Sequence, residues 1–327
     1  MSPSDLAGIP ITDAAAHIFR RPCLFFNPTD KLLQIATFLA IGPQIYADGL
    51  VVIDDKKKPI GRIDSKHIIS NIMDIGYPEW LELTALQIMD DYTGSLDKNS
   101  PLRKVIEIFD KTKFAFVPIT TNKSSDKIGS TPNSTAKPEE EQQVVIASIS
   151  IRDILPIIAK MNIDRPIKDL SCPLISVDKN SSISYAIDRM IKHGIRNIGI
   201  SEDNDDEDND SKISNHNHHD RKTKLLRIIN DRKILEFLLS HNGRSIMHTN
   251  GIDGLADIDI INHLDMLSIK KVKCATTTSK AAELLMDIRN PCLILEGKEY
   301  GSVEDYSIVT PWDILMKTVM LDHILSS

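Results

Sequence analysis

No apolar run in this 327-residue chain approaches the roughly 20 residues of a membrane span, so no transmembrane segment is expected. The opening stretch MSPSDLAGIPITDAAAHIF has neither the basic segment nor the apolar core of a secretory signal, which makes the cytoplasm the expected location. Cysteine is scarce. Cys23, Cys172, Cys274 and Cys292 are scattered with no CxxC pair, a pattern of reduced, small apolar side chains rather than of a zinc site or a disulfide framework. A concentrated basic surface is missing too. The formal net charge is -7, but SEDNDDEDND (201–210) alone carries seven acidic residues, so the remainder sums to about zero. That balance argues against a protein built to coat nucleic acid. Catalytic fingerprints are absent as well: there is no P-loop, dinucleotide-binding glycine pattern, nucleophile elbow or HExxH, and nothing pairs a nucleophile with a base.

What is present is repetition. The segment SIVTPWDIL (307–315) has three relatives: GRIDSKHII (61–69), ASISIRDIL (147–155) and RIINDRKIL (227–235). In each, a β-branched run ends at a small polar residue, and an apolar helix face begins three to four residues later. The fourth tetrad positions, His67, Asp153, Lys233 and Asp313, lie 86, 80 and 80 residues apart, too regular a spacing for chance. Upstream, TDKLLQIATFLA, NSPLRKVIEIF, SSISYAIDRMIKHG and SKAAELLMDI predict helices. The second is expected to be capped by Ser100 with Pro101 in its first turn, and the third to stop at Gly194. Short apolar strands follow at 49–54, 114–119, 196–201 and 291–296, so each unit reads strand, helix, strand, strand, helix. One such unit buries little alone and should pack with another.

The strand ending in [ST]-x-x-D before an apolar helix, after a turn such as HGIRNIGISED, resembles the CBS (cystathionine β-synthase) domain family over nearly the whole chain. The resemblance implies an α/β (α+β) fold of four β-α-β-β-α units in two pseudo-twofold pairs. The first pair would span 1–163 (units about 18–76 and 82–162), the second 164–327 (units about 166–242 and 256–325). Polar inserts at 120–143 and 202–224 are expected to be disordered loops at hairpin tips, because they hold too little apolar surface to offset the entropy of ordering. Within the second, His216, His218 and His219 invite a metal-binding reading, but a solvated linker fits a segment without fixed backbone better.

The tetrads are good helix starts in their own right. Asp64, Ser150, Asn230 and Thr310 are all capping residues, so the cap recurs in every unit, whereas the carboxylate is replaced by His67 and Lys233. Folding therefore needs the cap and manages without the acid, which marks Asp153 and Asp313 for another purpose. A carboxylate accepts two hydrogen bonds at once and suits the cis-diol of a ribose, while the hydroxyl and open N–H groups one turn earlier suit a phosphate. The resemblance implies the same ligand class, AMP, ADP, ATP or S-adenosylmethionine, with Ser150 and Thr310 toward phosphate and Asp153 and Asp313 on ribose. Units one and three depart from the pattern at the acid, so one competent site per pair is expected. Lys113, Arg196 and Arg289, at equivalent strand entries, are candidate phosphate cations, and Lys233 could reach phosphates across the pair. Trp312 is expected on a neighbouring helix rather than on a purine.

These features imply a non-catalytic regulatory protein that requires no cofactor, senses an adenosine-type small molecule and passes the signal by conformational shift to a separately encoded protein. No membrane and no nucleic acid partner is expected. Twofold closure requires either that the two pairs pack within one chain or that two chains form a homodimer. The alternative is an interaction scaffold whose sites have decayed.

Overall fold

The computed structural model describes residues 3–40, 48–91, 96–123, 142–203, 223–296 and 306–325. Unit 1 comprises β1 (Phe25–Phe26), α1 (Leu32–Ala40), β2 (Leu50–Ile53), β3 (Pro59–Ile63) and α2 (Ser65–Ile75). An entry strand β4 (Asp90–Asp91) leads to unit 2: β5 (Leu96–Asp97), α3 (Leu102–Thr112), β6 (Phe116–Lys123), β7 (Gln142–Ser150) and α4 (Ile151–Lys160). The second entry strand, β8 (Cys172–Pro173), precedes unit 3: β9 (Ser176–Asp178), α5 (Ile183–His193), β10 (Asn197–Asp203), β11 (Thr223–Asn230) and α6 (Asp231–Leu239). Unit 4 is β12 (Lys271–Lys273), α7 (Thr278–Leu285), β13 (Leu293–Glu296), β14 (Ser307–Val309) and α8 (Pro311–Leu325).

The pairing repeats with the sequence. In every unit the first strand lies parallel to the second, which returns antiparallel as the third. A helix must cross over between parallel strands, which is why each unit opens β-α-β. The helices follow their apolar spacing: in α1, Leu32, Ile35, Ala36 and Leu39 are buried. Gly194 ends α5 at φ 62. The start of α3 differs from the expectation. Pro101 is itself the cap, and the Ser100 carbonyl accepts from the Ile11 N–H at 3.0 Å, because the N-terminal segment pairs there. The hairpin strands also run further than expected, so residues 120–123, 142–143, 202–203 and 223–224 are strand rather than loop. The rest of the two inserts, with His216, His218 and His219, lies outside the described residues.

Two kinds of contact assemble the units. Sheet faces join unit 1 to unit 2 through Val51, Ile53, Phe114, Phe116 and Val145, and unit 3 to unit 4 through Leu174, Leu225, Ile228, Ile294 and Ile308. A Cβ on Gly49 would sit 1.9 Å from the Phe116 ring, so only glycine admits that approach. Helix faces then join across: one core combines units 1 and 3, and another combines units 2 and 4 with the N-terminal residues Leu6, Ile11, Ala15 and Ile18. The two sheet-joined pairs therefore pack on each other within one chain. Each fully buried Leu, Ile or Phe in these cores stabilises by about 1.5–3 kcal/mol relative to an exposed one. No helix among the described residues is long and apolar enough to cross a membrane.

Candidate functional site

The cross-packing brings the starts of four helices to one place. A cavity of about 450 Å³ is lined by Asp64 and Lys66 at the start of α2, Ile151 and Arg152 of α4, Asn230, Asp231 and Arg232 of α6, and Thr310–Asp313 of α8. Each helix start presents unpaired N–H groups and the positive end of its dipole. Five cations (Lys66, Lys113, Arg152, Arg196 and Arg232) and four carboxylates (Asp48, Asp64, Asp231 and Asp313) line the same space. Pro173, Leu174, Ile195 and Ile308 form an apolar part of the wall.

At the α8 end, Thr310 and Asp313 both face the cavity. Asp313 Oδ2 accepts from the Thr310 N–H at 3.0 Å and from the Thr310 hydroxyl at 2.7 Å, so the acid completes the helix start. Its Oδ1 accepts from the Cys172 thiol at 3.3 Å and pairs with Lys317 Nζ at 3.1 Å. Lys317 also donates to the Leu170 carbonyl, tying the β8 entry segment to α8. Burial, with the Asp313 charge beside it, pushes the Cys172 thiol up, while the Lys317 hydrogen bond acts the other way; the thiol stays protonated. Trp312 packs against the core of units 2 and 4, as expected, and also lines the cavity, with Lys113 Nζ 6.0 Å from its ring centroid. Lys113 owes its position to the left-handed turn that ends α3, φ 60.

The matching tetrad in unit 2 is closed. Ser150 and Asp153 do not line the cavity. Asp153 is 4% exposed, and its four acceptor positions are all filled. Oδ1 takes Arg21 Nη1 at 2.8 Å and His17 Nε2 at 2.9 Å; Oδ2 takes Arg21 Nη2 at 2.7 Å and the Ser150 N–H at 2.7 Å. Burial alone would raise this carboxyl, but the His17 hydrogen bond and the Arg21 charge outweigh it and hold it below the usual carboxylate range. The expectation of a ribose-ready Asp153 is corrected accordingly: a guanidinium from the N-terminal segment already grips it.

The basic candidates divide. Arg196 lines the cavity, but its charge is engaged by Asp231 at 2.7 Å and Asp48 at 3.4 Å. Arg289 does not reach the cavity: it is exposed and chelated by Asp287 two residues earlier, leaving Ile288 and Pro291 on the wall. Lys233 turns away from the cavity to Asp265 at 2.6 Å and Glu236 at 2.9 Å, which removes the cross-pair phosphate contact. In unit 1, His67 stacks on Phe114 at 4.9 Å, and the Arg62 guanidinium lies 3.8 Å from the centroid of the same ring.

Sequence reasoning missed the buried group between units 1 and 3. Asp231 accepts from Arg196 and from the Ser65 hydroxyl, Asp48 meets Arg196 and Arg232, and Asp64 caps α2 through the His67 N–H at 3.0 Å. Burial would raise the Asp64 carboxyl, but His67 and Arg196 hold it at about 2. The signal in the sequence is the acid directly after the Asn230 cap, Asp231, which stands outside the fourth tetrad position. Among the described residues no group of three or more His, Cys, Asp or Glu side chains could hold a metal ion.

The chain matches no family model and no curated protein. Solved structures do match. Protein MJ1225 from Methanocaldococcus jannaschii, a proposed archaeal homologue of g-AMPK, is similar with a TM-score of 0.69 at 16% identity, over 94% of this chain and 99% of that one. The CBS domain pair of protein MJ0100, in complex with 5′-methylthioadenosine and S-adenosyl-L-methionine, matches 45% of this chain and 96% of its own (TM-score 0.33, 15% identity). CBSX2 in complex with AMP matches 47% of this chain and 98% of its own (TM-score 0.33, 11% identity). The four-unit architecture, its sheet-joined pairs and the likeness to MJ1225 agree with the expectation: the chain has a CBS-type fold, four units in two pairs within one polypeptide.

Proposed function

We propose that the chain is a non-catalytic regulatory protein that binds one adenosine-type ligand in the shared cavity and transmits its presence to a separately encoded protein. The observation that carries the reading is the convergence of four helix starts and five cations on a single cavity of ligand size, with the Thr310–Asp313 tetrad at one end. Asp313 would accept the two ribose hydroxyls by displacing the weak thiol contact of Cys172 and the Lys317 ammonium from its Oδ1. The purine fits the apolar wall of Pro173, Leu174 and Ile308, and the Thr310 end of α8 faces phosphate. Lys113 and Arg152 enter from unit 2, so a phosphate-bearing ligand would touch both pairs at once. One positive charge more than negative, added to four positive helix ends, favours AMP, ADP or ATP over the cationic S-adenosylmethionine.

Such a ligand acts by its differential affinity for two relative orientations of the pairs, and by no more than that. Thermal unfolding with AMP, ADP, ATP and S-adenosylmethionine tests the reading. A ligand at 100 times its Kd stabilises by about 2.7 kcal/mol, and at the same concentration that gain should fall to about 0.3–1.4 kcal/mol in Asp313→Ala. A second reading, a scaffold that binds its partner without nucleotide control, is favoured by the closure of Asp153 and of Lys233 by internal ion pairs. No stabilisation by any of the four compounds, with partner capture unaffected by them, would leave the scaffold standing.

A further inference from the structure

We infer that Lys317 is a coupling residue: it reads the state of Asp313 and, when a ligand takes that acid, releases the connector that joins the two pairs. The inference deepens the reading of unit 4 and rests on it only for the nature of the trigger.

The connector runs from the end of α4 at Lys160 to β8 and is the covalent link between the pairs. Its first half is stitched to the start of α7. The Ile163 N–H donates to the Ser279 hydroxyl at 2.7 Å, the Arg165 carbonyl accepts from the Thr278 N–H at 2.8 Å, and the Ile167 N–H donates to the Thr276 carbonyl at 2.9 Å. Its far end is β8, which pairs with β14. Between these anchors, the Leu170 and Ser171 carbonyls accept from Lys317 Nζ at 2.7 and 3.3 Å. The same ammonium reaches the Cys172 thiol at 2.9 Å and Asp313 Oδ1 at 3.1 Å. One side chain thus gathers three consecutive residues of the connector and its strand, together with the acid that faces the cavity.

An ammonium has three protons, so these four partners share them. Of the four, only Asp313 carries the charge that balances Lys317. Once a diol takes Oδ1, the ammonium is left with neutral acceptors. Its side chain is 32% exposed, so water can take it over. The Leu170 side chain stays in the core of units 2 and 4; what Lys317 controls is the backbone turn at Ile167–Leu170. That turn leads directly into Pro173 and Leu174 on the cavity wall. Occupancy of the cavity therefore reaches the joint about which the pairs can reorient.

Hydrogen–deuterium exchange of residues 163–171 in the full-length chain tests the coupling. Asp313→Asn keeps an oxygen for the Thr310 cap but turns an amide toward Lys317. Without any ligand it should speed exchange several-fold, the order expected for losing a partly exposed ion pair. Lys317→Met should be equally fast, and adding Asp313→Asn to it should change nothing further. Saturating AMP should speed exchange in wild type and not in Lys317→Met, which should bind AMP within a few-fold of wild type. An unchanged connector in Asp313→Asn, a further response in the Lys317→Met background, or bound AMP that leaves the connector as it was overturns the inference. If the variants behave as stated but AMP does not bind wild type, the unit 4 reading fails and the coupling stands. Should Lys317→Met not fold by circular dichroism, Lys317→Gln replaces it. Failure of both to fold also overturns the inference, since a side chain the fold cannot lose is part of the frame.

Discussion

At Asp153, a guanidinium and an imidazole from 132 and 136 residues away fill three acceptor positions, and the Ser150 N–H fills the fourth. At Asp313, the strand in the equivalent place delivers a thiol, and a cavity remains. Both acids complete the same capping arrangement with a Ser or Thr three residues earlier, so the local motif does not distinguish them. The residue that enters beside them does. The other two units follow the same logic with other charges: Asp90 on entry strand β4 pairs with Arg62 in unit 1, and Asp265 pairs with Lys233 in unit 3. In units 1, 2 and 3 the entering segment forms an ion pair at or beside the tetrad; unit 4 alone among the described tetrads meets a neutral side chain from it, and Asp313 pairs instead with Lys317 of its own helix.

The sharpest way to break this comparison is to remove the closing cation. Arg21→Ala leaves a nearly buried carboxylate without its counter-ion, which should cost about 3–5 kcal/mol in urea-induced unfolding. Exchanging Cys172 for alanine in unit 4 should cost far less, since a thiol is a weak donor. Equal losses would mean that the two entry segments serve the same structural purpose. The next effect is on binding. Asp313→Ala should weaken AMP by about 10- to 150-fold, the loss of roughly 1.5–3 kcal/mol for hydrogen bonds to a charged group, while Asp153→Ala leaves AMP affinity within twofold. Titration calorimetry reads both, and a reversed order would exchange the roles assigned to the tetrads.

Acid sharpens the comparison further. The Asp64 and Asp153 carboxyls are held low in the folded chain, Asp64 at about 2 against 3.8 unperturbed. A depressed folded value contributes stability that is present above the unfolded pKa and lost as pH falls through the folded one. The melting temperature should therefore hold from pH 7 to about 5 and drop between about 4 and 2, with Asp64 contributing on the order of 2 kcal/mol. Arg21→Ala should shrink that drop, because the Arg21 charge helps to hold the Asp153 carboxyl low. A smaller change is expected at Lys113, whose ammonium is largely exposed. Lys113→Ala should weaken ATP several-fold, about 1 kcal/mol, and leave adenosine unchanged; parallel losses would place its contribution on the nucleoside instead.

The architecture was legible because it is local and repeated. The four caps, the helical stripes and the αL stop at Gly194 each depend on residues within one turn of one another. The site was legible only at unit 4, where Thr310, Trp312 and Asp313 reach the cavity and the long-range contact on the acid is a neutral thiol. Elsewhere the outcome turned on pairs distant in sequence. Nothing near Asp153 announces Arg21, and nothing near Arg196 announces Asp48. Arg289 failed for the opposite reason: it repeats the Ile-Arg-Asn tripeptide of Arg196, yet a carboxylate two residues away captures it first.

Lys233 supplies the weakest and most discriminating test. It stands where Asp153 and Asp313 stand, and a cation at a helix start is unfavourable to the dipole, so a role on ligand phosphate was a natural expectation. Its ammonium instead lies between Glu236 and Asp265, and Asp265 is 80% exposed. Burial alone would lower the Lys233 ammonium, but the two carboxylates raise it, so it remains charged through the neutral range. An ion pair so open to water contributes about 0–1 kcal/mol. Lys233→Ala should accordingly shift the urea midpoint only slightly and leave AMP, ATP and adenosine affinities unchanged. A selective loss of ATP affinity would show that the side chain swings into the cavity when phosphate arrives, and unit 3 would then have to be counted with unit 4 rather than with units 1 and 2.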